Sequence, residues 1–166
     1  MKLDINREIS DFINLDQKLK YLNVNLPSDF CILPENIEDA ASVDEFVFTD
    51  TTLSVKKYLK KNGVNVDVVK TDTRAYRQRR SVDFFAPVLF IGYSVLSENP
   101  ELASVGLNVL SSYVYDIFKG TFGDKKVKIE IIVEVNPKKK YKSITYEGNV
   151  EGLNGLADVI KSLKDE

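Results

Sequence analysis

The hydrophobic pattern is sharpest in the second half of the chain. Val127, Ile129, Ile131, Val133 and Val135 alternate with Lys126, Lys128, Glu130, Ile132 and Glu134. Successive side chains of a strand point to opposite faces, so this spacing predicts a strand with one buried face. Asn136, Pro137, Lys138, Lys139 and Lys140 predict a turn, and residues 141–146 return as the second strand of a hairpin. Gly148 and Asn149 lead into a last helix with Leu153, Leu156, Ile160 and Leu163 on one face. Before the hairpin, residues 102–118 carry apolar side chains on nearly every side of a helix, which Gly120 ends. Such a helix lies in the core or is covered by a partner.

The first half is more broken. Ile5, Ile9, Phe12 and Ile13 recur at helical spacing, and Leu15, Leu19 and Leu22 continue the apolar surface. This predicts one bent helix or two short ones, closed by Pro27. Residues 30–33 predict a short strand before Pro34, and residues 45–49 a buried one. Asp50, Thr51 or Thr52 is placed to cap the next helix by accepting from its free N–H groups. In that helix Leu53, Val55, Tyr58 and Leu59 are expected inside, with Lys56, Lys57, Lys60 and Lys61 in water. Asn62 and Gly63 stop it, and Val64, Val66 and Val68 alternate with Asn65 and Asp67 as a strand. Strand, helix and strand at such short spacing predict a βαβ crossover with the two strands parallel. Residues 70–81 are polar and basic, a loop or an exposed edge. Residues 82–96 are apolar, with Pro87 kinking a helix or opening one. The run is shorter than the roughly 20 apolar residues of a membrane helix and contains Asp83, so a buried core segment is the expectation.

These elements give an α/β fold, with α+β as the variant: a mixed sheet with a βαβ unit and a C-terminal β-hairpin, packed by helices. Residues 1–166 form a single domain, in which 1–44 are a helical N-terminal extension packed on an α/β core of 45–166.

Composition narrows the chemistry. The 23 basic and 25 acidic residues give a net charge of −2, which argues against a body that clings to nucleic acid but leaves room for a local basic patch. Cys31 is the only cysteine, so no internal disulfide forms. Residues 1–8 are too polar for a signal-peptide core, and a cytoplasmic location is expected. With no histidine, serine or cysteine nucleophiles activated by histidine are excluded, as is the commonest zinc ligand. No phosphate loop of the GxxxxGK[ST] type occurs, and no GxGxxG follows a strand. No cofactor and no metal are expected. A carboxylate–magnesium site would have to centre on Asp50, at the end of a strand. Residues 46–52 are similar to the haloacid-dehalogenase motif, except that Thr52 stands where that motif has its second aspartate. A helix cap is the favoured role for this segment.

Of five arginines, four fall within residues 74–80: Arg74, Arg77, Arg79 and Arg80, with Tyr76 among them. Elsewhere, apart from Arg7, the chain uses lysine. A guanidinium makes paired hydrogen bonds to phosphate or carboxylate, and a tyrosine adds a stacking face. The cluster therefore reads as an anion-binding patch, or as a solvated loop paired with Asp67, Asp72 and Asp83. Tyr113, Tyr115 and Phe118 are the candidate protein interface if the apolar helix is not wholly core.

The order of elements resembles that of a group of bacterial proteins. Residues 105–119 form a largely apolar helix, followed by the strand 126–134, a turn, a second strand and Gly148-Asn149-Val150-Glu151-Gly152-Leu153 opening the last helix. This order is similar to the small effector-associated adaptor modules of bacterial conflict and antiphage systems, of the effector-associated constant component type. Residues 52–69 match the first strand–helix–strand part, and the glycine-rich helix start of those modules is reduced here to Gly106. The resemblance implies a non-catalytic adaptor that recruits an effector by protein contacts. A protein partner is thus the first expectation and a nucleic acid or anionic ligand at the arginine cluster the alternative; a homo-oligomer stays open.

Overall fold

The hairpin forms as its alternation demands, but it lies at the centre of a larger sheet. The computed structural model describes residues 5–72, 74–121 and 123–166, with side chains from Arg7 onward. The strands are β1 (Ile5–Asp11), β2 (Phe30–Leu33), β3 (Val47–Thr49), β4 (Asp67–Val68), β5 (Ala75–Arg77), β6 (Phe84–Phe85), β7 (Val88–Ile91), β8 (Val127–Asn136) and β9 (Lys140–Gly148). The helices are α1 (Leu15–Leu22), α2 (Thr52–Lys61), α3 (Tyr93–Glu98), α4 (Glu101–Phe118) and α5 (Leu156–Ser162). Among the described residues seven strands make one mixed sheet in the order β1-β9-β8-β7-β2-β4, with β6 also beside β8, while β3 and β5 pair separately.

Helices α2 to α5 cover one face of the sheet. Tyr113 of α4 packs edge-on against Phe84, and Gly106 lets α4 approach β2 so closely that a Cβ there would lie 2.9 Å from the Phe30 ring. Ile129, Ile131 and Val133 are buried on this side, as the alternation predicted. Ile132 is also fully buried, on the opposite side, beside Phe90. There the Phe90 and Tyr141 rings lie 6.4 Å apart, and burial and nearby carboxylates push the Tyr141 hydroxyl pKa up. On this second side the hairpin is thus covered near its turn, around Ile132, Tyr141 and Ser143, and open toward its other end, around Lys128, Glu130 and Thr145.

The N-terminal expectation needs correction. Residues 5–11 are not helix but an edge strand, antiparallel to β9. A spacing of four between Ile5 and Ile9 satisfies a strand period as well as a helical one. Asn14 then caps α1, its side chain accepting from the Gln17 N–H at 3.1 Å, so helix begins only at Leu15. The described residues of 1–44 are therefore no helical extension: β1 and β2 are strands of the main sheet.

The βαβ unit is corrected too. β3, α2 and β4 follow one another, but β3 pairs in parallel with β5 and β4 in parallel with β2. The flanking strands of α2 land in different sheets because β4 finds the fully buried β2, a pairing set by contacts distant in sequence. Leu53, expected inside, is 49% exposed. The expected side-chain cap of α2 is absent: Thr51 instead donates its hydroxyl to the Phe85 carbonyl at 2.6 Å, and Thr49 and Thr52 share a hydrogen bond. Pro87 neither kinks nor opens a helix. It separates β6 from β7 where Phe85 faces Lys128 and Leu89 faces Ile131, so this segment carries one more residue than β8. A residue without an N–H suits that interruption. No helix among the described residues is long and apolar enough to cross a membrane.

Candidate functional site

Where the second face of the sheet is uncovered, it forms the floor of a trough of about 430 Å³. Phe85 and Val88 give it an apolar base, and Glu8, Glu35, Arg79, Lys128, Glu130 and Glu147 line it. Strand alternation puts Lys128 and Glu130 here, since their neighbours Val127, Ile129 and Ile131 fill the helix-covered side.

The two cations of the trough are already engaged. Arg79 donates to Glu35 at 2.8 Å and lies 4.3 Å over the Phe85 ring. Lys128 sits 5.0 Å from the same ring, 3.7 Å from Glu147 and 4.0 Å from Asp83. Glu130 differs. It accepts from the Ser143 hydroxyl at 2.8 Å, and among the described residues it makes no ion pair. Burial pushes its pKa above the ordinary value; the Ser143 bond opposes this, and the charge of Glu38 adds to it. The charge left uncompensated in the trough is negative.

Of the arginine cluster, Arg74, Tyr76, Arg77 and Arg80 are exposed and Arg79 is partly withdrawn from solvent. Residues on β5 alternate, and Tyr76 turns toward Phe48, with ring centroids 6.4 Å apart, while Arg77 and Arg79 both reach Glu35. The Arg79 side chain is only 26% exposed, and its Nη1 is buried without a hydrogen-bond partner among the described residues. Arg74 and Arg80 remain in solvent. The acid that holds the cluster is Glu35, rather than Asp67, Asp72 or Asp83. Sequence reasoning missed it because it lies on a loop after β2, distant in the chain and marked by no pattern. It missed Glu130 as a site residue because a charged residue on the outer face of a hairpin ordinarily meets water.

The proposed aromatic interface divides as well. Tyr113 is half-buried between Tyr58, at 4.8 Å, and Phe84, at 6.0 Å. Phe118 packs against the core, and Tyr115 is 56% exposed. Asp50 is exposed in the turn before α2, and among the described residues no group of three or more acidic or cysteine side chains is placed to hold a metal ion. Cys31 is fully buried on β2, and burial pushes its thiol pKa up to about 12. No family model, no curated protein and no solved structure matches this chain.

Proposed function

We propose that this chain is a non-catalytic protein-binding module of the adaptor kind, and that its trough takes a basic segment of a protein partner. One observation carries the reading. Glu130 is largely withdrawn from water with a hydroxyl as its hydrogen-bond donor, while the cations beside it are held by Glu35, Glu147 and the Phe85 ring. A lysine or arginine laid against Glu130 would relieve both its desolvation and the repulsion from Glu38. The stem of that side chain would lie on Phe85 and Val88. A recruiting role in a bacterial defence setting is supported by the order of elements from α4 to α5, on which the resemblance to effector-associated modules rests.

The test is fluorescence anisotropy with a short labelled peptide alternating lysine and valine, against the same peptide with glutamate in place of lysine. The lysine peptide binds and the glutamate peptide does not. Glu130→Gln keeps the shape and the Ser143 contact, and weakens binding at least tenfold, as loss of a charged partner worth about 1.5 kcal/mol requires. Unchanged affinity in Glu130→Gln would sink the reading.

A second reading is favoured by the exposure of Arg74, Tyr76 and Arg80: an anionic ligand or nucleic acid on the outside of β5. Single-stranded DNA is the probe. Changing Arg74, Arg77, Arg79 and Arg80 to Lys keeps the charge and weakens binding several-fold if guanidinium geometry matters. DNA that binds neither protein removes this reading.

A further inference from the structure

Strand β1, seven residues long, ends the main sheet with a free edge. Its pairing with β9 is unbroken from Ile5 opposite Gly148 to Asp11 opposite Lys142. It carries no proline and no bulge, and the charges that would repel a random partner, Arg7, Glu8 and Asp11, are of both signs and so leave room for a complementary one. Among the described residues the opposite edge of the sheet, β4, has only two residues, and β5 has three. Arg7, Glu8, Ile9, Ser10 and Asp11 are all exposed.

The direction of the free backbone groups follows from one bond. The Phe12 N–H donates to the Tyr141 carbonyl at 3.0 Å, so even-numbered residues turn their backbone groups toward β9. Arg7, Ile9 and Asp11 therefore turn theirs outward. We propose that a second copy of this chain pairs antiparallel with β1 about a two-fold axis at Ile9, joining two sheets into one. In that register Arg7 of each copy faces the partner's Asp11, Glu8 faces the partner's Ser10, and Ile9 faces itself. Each dimer contains the Arg7–Asp11 pair twice. The neighbouring registers lack this match: an axis at Arg7 opposes two arginines, and one at Glu8 opposes two glutamates. Asp11 is available for the pairing, being 85% exposed and 4.0 Å from Lys142, whose nearer partner is Glu166 at 3.2 Å. This inference is independent of the trough.

Sedimentation velocity over a concentration series tests it. The unaltered chain is a dimer that dissociates on dilution. Arg7→Asp alone and Asp11→Arg alone each raise the dissociation constant roughly tenfold, because two cross-strand pairs per dimer turn from attraction to repulsion. The double exchange, with Arg7→Asp and Asp11→Arg together, reverses both signs and restores the original constant. Both positions are exposed, and circular dichroism checks that each variant folds. A nitroxide on Ile9→Cys provides an independent reading, since Cys31 is buried and does not label. Strong dipolar coupling between two labels places Ile9 near the axis. A chain that stays monomeric at every concentration overturns the proposal. So does a dimer indifferent to the single reversals, a double exchange that fails to restore it, or labels that do not couple.

Discussion

Glu35 is the residue on which the meaning of the arginine cluster turns, and removing it has a calculable effect. Its side chain is 14% exposed and holds two guanidiniums. The Arg77 side chain is 54% exposed, so that pair contributes about 0–1 kcal/mol. The Arg79 pair is more enclosed, and a hydrogen bond between charged groups there contributes about 1.5–3 kcal/mol. Glu35→Ala should therefore destabilise the fold by about 2–3 kcal/mol. Arg79→Ala should cost about as much, with a further ~0.5–1 kcal/mol for its contact with Phe85. The double variant should lose far less than the sum, leaving a coupling energy of about 1.5–2 kcal/mol. Urea melts are the assay, since guanidinium chloride would screen the charges. An unchanged denaturant slope would show that stability alone has moved. Arg74→Ala, in solvent, should stay within about 0.5 kcal/mol of the parent. Additive single effects, or a Glu35→Ala variant as stable as the parent, would refute the view that this acid organises the cluster. Glu35→Ala also frees two arginines, so it should strengthen any binding to a polyanion while weakening the fold.

Other outcomes follow from burial. Ile131 is fully buried on β8, and Ile131→Ala should cost about 2–5 kcal/mol in the same melts, against less than about 1 kcal/mol for Lys128→Ala; the reverse ranking would mean the strand's faces are exchanged. Glu130 keeps its proton to higher pH when folded than when unfolded, so stability falls as pH rises from about 4.5 through its raised folded value. Glu130→Gln should remove that fall and be the more stable protein at pH 7, which thermal melts across pH would contradict if the curves coincide. For Cys31, an unfolded chain releases the thiol proton near pH 9.0 and the folded chain near 12, so stability declines as pH rises between the two. The thiol should resist alkylation at pH 8 until the chain unfolds, and labelling at the rate of a free thiol in the native protein would contradict its burial. Cys31→Ala should fold with a loss of about 1 kcal/mol.

The local periodicities were sufficient for some elements and ambiguous for others. Val127 to Val135 alternate strictly and Leu156 and Ile160 are buried together on α5, so the hairpin and the body of the last helix follow from the chain itself, whereas Leu153, expected in the same helix, belongs to a separate 3-10 turn at Val150–Leu153 and Leu163 caps α5. The same holds for α2 with its Asn62-Gly63 stop, where Gly63 takes φ +83°, and for the span of α4. Such signals are local: a side chain two, three or four residues away lies on the same face whatever the rest of the molecule does. Ile5 and Ile9 fit both periods, and only the free edge of β9 makes them strand.

What tertiary structure alone decided is which surfaces meet. The strand before α2 and the strand after it enter different sheets because β2 and β5 are there to receive them. The arginines at 74–80 are divided by strand alternation and drawn to Glu35, so a dense run in sequence becomes two half-buried or paired cations and two solvated ones. Lys128 and Glu130 look like the wet side of a hairpin, yet one is laid on Phe85 and the other largely loses its water. The sequence determined the hairpin, α2 with its Asn62-Gly63 stop, the span of α4 and the absence of histidine chemistry, because those depend on residue identity and near neighbours. It left open the sheet order, the trough and the β1 edge, because pairing and desolvation arise between residues that the chain brings together only when it folds.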